Sequence, residues 1–200
     1  MGIGVLVLGE SGTGKSTSMR NFKKGDVLVL NVAGKRLPFK TDLERIDNAG
    51  YAEIGTALKD NKYKRYVIDD SQYLLAFEMF DRAKETGYNK FTDIAVRFRN
   101  MLKYVAEGTS DDTIVYLMHH TEKDDTGKLK AKTVGKMLDN QLTVEGLFSI
   151  VLLTDMTDGT YHFITNGLPP AKSPIGMFEQ SIDNDLAAVD KTIREYWGIK

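Results

Sequence analysis

Cysteine is absent from the 200 residues, which excludes a disulfide scaffold and any thiolate-held metal. An excess of one charge is absent too: 27 Lys and Arg stand against 28 Asp and Glu, a formal net charge of −1. No whole-molecule field therefore gathers a polyanion, and any affinity for nucleic acid has to come from local patches. No apolar run approaches the roughly 18 residues of a membrane helix; stretches such as 150–153 are strand-sized. Residues 1–6 lack the basic region of a signal peptide, and Leu6 stands where a myristoylation signal has Ser or Thr. The expectation is a cytoplasmic protein with no membrane partner. Apolar residues make up 42% and charged residues 28%, near the globular averages of about 45–50% and 25%, so disorder is not indicated. Since roughly 100–200 residues make one domain, residues 1–200 are expected to form a single one.

Residues 3–8 are a β-branched and aliphatic run ended by Gly9, and 15–22 have the character of a helix. Residues 27–31 read as a second strand, followed by a loop over 33–40 and helical material from Thr41-Asp42-Leu43-Glu44 through 54–58. A third strand over 66–68 leads into Asp69-Asp70. Residues 72–84 and 92–105 carry apolar side chains at helical spacing, and 113–118 read as a fourth strand. This βαβαβααβ order predicts an α/β fold, a mostly parallel sheet covered by helices. Residues 148–154 and 160–165, joined through Asp158-Gly159, predict a C-terminal antiparallel hairpin, and 183–197 an amphipathic closing helix. The polar stretch 119–135 is expected to be a mobile loop.

Gly9-Glu10-Ser11-Gly12-Thr13-Gly14-Lys15-Ser16 fits G-x-x-x-x-G-K-[ST] at every position, between an expected strand and an expected helix. Glycines there let successive N–H groups turn onto phosphate oxygens, and a helix beginning near Lys15 adds its positive end. Lys15 is expected at the β- and γ-phosphates and Ser16 at Mg²⁺, with Thr17 completing the binding stretch. Asp69 ends an apolar strand, where ligands of open α/β sheets bind, and is the expected acid behind Mg²⁺. Neighbouring strand side chains face opposite ways, so Asp70 is assigned either to the attacking water or to a cap at Gln72. His119 ends the fourth strand, the place of a γ-phosphate sensor in phosphate-loop folds with an extra strand between the loop strand and the acid strand. No N-K-x-D guanine signature occurs, so the nucleotide leans to ATP.

These residues resemble the phage P-loop ATPases of the RecA-like/AAA group, including Sak-type single-strand-annealing ATPases. The resemblance covers most of the chain and rests on residues 9–16 and 66–71, with weaker patterns at His119, 132–136 and 171–174. It implies a RecA-like core, ATP held between subunits of a homo-oligomer, single-stranded DNA as partner, and a role in recombination, replication or repair in a bacterial host. The loop 122–136 would touch DNA through Lys128, Lys130 and Lys132. Residues 82–103 carry six cations against two acids and add Lys90, Arg97 and Arg99, with Tyr88 and Phe91 able to stack on bases. Lys172 stands where recombinase folds supply a cation to a neighbour's ATP. The chain departs from the family at the water-positioning acid: Asn31 and Asp70 hold the corresponding places, leaving Glu10, Glu44 or Asp70 for that role and allowing slow turnover. The alternatives are a nucleotide kinase and a nucleotide-gated adaptor.

Overall fold

A computed structural model describes residues 1–134, 138 and 141–200; Gly135 and Lys136 of the expected DNA loop lie outside the described residues. Among the described residues nine strands form one mixed sheet: β1 (Ile3–Gly9), β2 (Leu28–Asn31), β3 (Glu44–Asp47), β4 (Arg65–Asp69), β5 (Ile114–Lys123), β6 (Leu129–Ala131), β7 (Ile150–Thr157), β8 (Thr160–Ile164) and β9 (Ser181–Asp183). Their order is β3-β2-β4-β5-β1-β7-β8-β9, with β6 paired to β5. The pairings from β3 through β7 are parallel, and β8, β9 and β6 join antiparallel. The expected α/β class, the parallel sheet and the C-terminal hairpin are thus present. Asp158 and Gly159, both at positive φ, make its turn.

The central strands are buried on both faces, as their unbroken aliphatic runs require. One face packs Leu6, Leu8, Ile68 and Leu117 against α1 (Tyr51–Asp60), α2 (Gln72–Asp81) and α3 (Asn89–Lys103). The other packs Val5, Val7, Tyr116 and Leu152 against Met19, Phe22 and α4 (Leu186–Trp197). Asp185 caps α4 by accepting from the N–H groups of Ala187 and Ala188, a cap of the kind worth about 1 kcal/mol. Buried Asp190 ties the same helix to the sheet by accepting from Arg65 Nε (2.7 Å), Arg194 Nε (2.9 Å) and Tyr116 Oη (3.2 Å).

Three expected elements are corrected. The chain after the phosphate loop is not an α-helix but a single 3₁₀ turn, Ser16–Met19. Ser18 Oγ donates to Lys15 O (2.5 Å) and Arg20 to Thr17 O, local bonds that compete with helix propagation. The stretch from Thr41 is not helical at first: Glu44–Asp47 is the edge strand β3, alternating half-buried and exposed, and α1 begins only at Tyr51. The expected loop after the fourth strand is a hairpin, because β5 runs on to Lys123 and pairs with β6. Asp124 Oδ1 accepts from the N–H groups of Thr126 and Lys128 and folds its turn.

Candidate nucleotide site

The carboxyl ends of β1, β4 and β5 meet at a cleft of about 320 Å³. Residues Ser11, Gly12, Gly14, Lys15, Ser16 and Thr17 line it on the loop side; Glu10 and Thr13 shape the loop, Thr13 Oγ1 donating to Glu10 O. Gly9 is irreplaceable by contact, since a Cβ would lie 1.8 Å from Thr154 Oγ1. Gly14 is so by backbone, at φ +97°, and by contact, because its Cβ would sit 2.9 Å from the Tyr161 ring. Among the described residues, no backbone N–H of residues 11–15 donates to a backbone carbonyl. The loop therefore offers several donors with no backbone partner among the described residues, the property a phosphate needs.

Lys15 is buried, and its Nζ donates to Gly9 O (2.9 Å) and Glu10 O (2.8 Å). Burial lowers its pKa to about 8, against the pull of Asp70 and Asp69. Ser16 Oγ lies 3.0 Å from both oxygens of Asp69, whose carboxyl burial and the neighbouring Asp70 push up to about 6. In register beside Asp69, buried Asn31 donates to Lys35 O and Asp47 but leaves Oδ1 without a partner among the described residues. A hydroxyl lying on a costly buried carboxylate is a hard donor pair that fits Mg²⁺.

Asp70 sits at φ +59°, so strand alternation fails there and its side chain also serves the cleft. It pairs with Lys35 and lies 3.3 Å from His120 Nε2. Burial opposes its ionisation, but His120 and Lys35 hold the carboxyl below the usual range. It forms no side-chain cap on α2. His119 does not line the cleft. Its Nε2 donates to Lys132 O (2.6 Å), a carbonyl that can only accept, so Nδ1 is left to accept from Ser71 Oγ (2.8 Å). Complete burial lowers its pKa to about 4 and keeps it neutral. His120, one residue on, lines the cleft instead. Of the other acids named for water, Glu44 accepts from Tyr63 Oη on the edge strand, and Glu10 is exposed.

Neither a protein-family model nor a curated protein matches the chain.

The expected DNA contacts divide. Lys90 is occupied, donating to the carbonyls of Arg82, Ala83 and Glu85 at the end of α2. Arg97 pairs with Glu78 (3.0 Å) and Lys130 with Glu122 (3.1 Å). Arg99 is exposed on α3 beside Asn100, and Lys128 and Lys132 are exposed on the hairpin. Lys172 is exposed; its backbone bridges Val151, and with Lys128 and Lys130 it lines a second cleft at the hairpin, apart from the phosphate loop. Among the described residues no helix is long and apolar enough to cross a membrane.

The sequence reading did not single out Lys35, Arg36, Pro38, His120 or Tyr161, all of which line the cleft. Lys35 and Arg36 had a local signal, a basic pair just past the end of a buried strand. Tyr161 had none, because its contact with Gly14 spans most of the chain.

Proposed function

We propose that the chain is a P-loop ATPase with a RecA-like core that binds and hydrolyses ATP with Mg²⁺ and acts on single-stranded DNA as a homo-oligomer in phage-type recombination, replication or repair. The observation that carries the reading is the meeting, at the carboxyl ends of parallel strands, of a donor-rich glycine loop, Lys15 and the Ser16–Asp69 pair. Strand β5 between β1 and β4 supports the RecA-like form, which has an extra strand at that place.

In this reading Lys15 exchanges two carbonyls for the β- and γ-phosphates, and Ser16 and Asp69 hold Mg²⁺, which supplies charge neutralisation on the phosphate oxygens. Asp70, kept ionised, orients the attacking water. The link to DNA is the hairpin β5–β6: it grows from the strand that carries His120, and Lys132 at its base fixes His119. Exposed Lys128, Lys132 and Arg99 would contact phosphates.

A second reading, nucleotide gating with little turnover, is favoured by the double engagement of Asp70 with Lys35 and His120, which must loosen before that carboxylate can serve a water. The ATPase rate with and without single-stranded DNA, followed by native mass with nucleotide, separates the readings. DNA stimulation with assembly supports the first. Tight binding without turnover supports the second, and phosphate transfer to a nucleoside monophosphate overturns both.

A further inference from the structure

The cleft has two ends, and the strand order tells them apart. Strands β4 and β5 lie on one side of β1, and β7 and β8 lie on the other. Apart from Lys15 on the loop itself, the ionisable groups that face the terminal phosphates in the reading above belong to the first side: Asp69 ends β4 and Asp70 follows it, His120 is on β5, and Lys35 follows β2. On the β8 side stands, among the described residues, one lining residue, Tyr161. A triphosphate laid along the loop with its terminal phosphates toward Asp69 therefore directs its nucleoside to the Tyr161 end.

Tyr161 is built as a platform. Its backbone is paired to Met156 near the tip of the β7–β8 hairpin, and Phe163, two residues on and so on the same face, is fully buried. Its ring rests against the backbone of Gly14, within 2.9 Å of where a Cβ would stand, so the loop itself locks the rotamer. The side chain is half-buried, which leaves part of its surface open to the cleft. A rigid phenol ring at the uncharged end of a cleft is suited to an aromatic heterocycle: little side-chain entropy is lost, and the π-face accepts any base.

We propose that Tyr161 is the base-side wall of the nucleotide site, the surface on which the purine of ATP stacks. The inference rests on the nucleotide reading above and adds to it that the wall is base-tolerant, so ATP and GTP depend on Tyr161 alike.

Dissociation constants for ATP, GTP and inorganic triphosphate test it, measured on the wild-type chain, Tyr161→Ala and Tyr161→Phe. Tyr161→Ala is expected to weaken both nucleotides about 5- to 100-fold and to leave inorganic triphosphate unchanged, while Tyr161→Phe keeps nucleotide affinity. An equal loss for nucleotide and triphosphate would show that the ring only props Gly14 and overturns the proposal, as does no loss for any ligand. Because Tyr161→Ala can disturb the loop, Tyr161→Trp gives a second readout against the background of Trp197. ATP should quench the new fluorescence and triphosphate should not; absence of that difference overturns the proposal. A wild-type chain that binds neither ATP nor triphosphate is a separate failure, that of the nucleotide reading itself, whereas the Tyr161 outcomes leave that reading standing.

Discussion

The cleft at Lys15 and the outer surface of α2 and α3 are both rich in charge, yet they use it in opposite ways. On the helices, Arg82 is shared among Glu78, Glu85 and Asp93, Arg97 pairs with Glu78, and Lys90 closes the end of α2. These cations are paired within the surface at rest. At the cleft, Lys15 is buried on two neutral carbonyls and Asp69, behind Ser16, is buried against a hydroxyl, beside loop N–H groups with no backbone acceptor among the described residues. Charges buried without an opposite charge in contact are costly to the fold and ready for a charged ligand. A net +4 counted along 82–103 is therefore weaker evidence for a binding surface than one lysine in a glycine loop.

The largest expected effect is that of Lys15→Ala, which should reduce ATP affinity by about 100-fold or more, as loss of a charged hydrogen-bonded partner does; calorimetric titration checks it. Since the Lys15 pKa in the ligand-free chain is about 8, wild-type affinity should also fall as pH rises through that value. Asp69→Asn should abolish the Mg²⁺ dependence of binding and yet stabilise the ligand-free chain at pH 7. The sign follows from linkage: a carboxyl raised from 3.8 to about 6 costs the folded state as pH rises through that interval. Removing it should gain about 1–3 kcal/mol in denaturant unfolding.

His119 acts in the other direction. Its pKa lies at about 4 when folded against 6.5 ordinarily, so it contributes stability that is complete above pH 6.5 and lost as pH falls toward 4. His119→Gln should flatten acid unfolding in that window while leaving ATP affinity unchanged. The smallest effects concern DNA. Lys128→Ala and Lys132→Ala should each lower the salt slope of single-strand binding by about 1. Lys90→Ala should leave that slope unchanged and instead lower stability, since its ammonium closes α2.

What was legible in the sequence is what short-range chemistry determines. The phosphate loop and the strand that delivers Asp69 are contiguous segments whose residue types answer to one function each, and the apolar runs of β1, β4, β5 and β7 declare strands buried on both faces. Besides the Tyr161–Gly14 contact, three features were not legible. Thr41-Asp42-Leu43-Glu44 imitates a helix start, but β2 offers a free edge and Glu44–Asp47 pairs with it in parallel. Residues 15–22 follow a motif that usually opens a helix, and the Ser18 hydroxyl, donating to Lys15 O, turns the chain instead. At His119-His120 the strand continues, so alternation sends the first ring inward to Ser71 and the second toward Asp70; that follows only once β5 is known to run on to Lys123.

The most direct test of the central claim, that the cleft at Lys15 is a Mg²⁺-dependent ATP site, is a calorimetric titration of ATP into the wild-type chain and into Lys15→Ala, with Mg²⁺ and with chelator. Saturable binding by the wild-type chain that weakens with chelator and is lost in the variant is the predicted result. Binding of equal strength in both chains, or none in a folded wild-type chain, would contradict it.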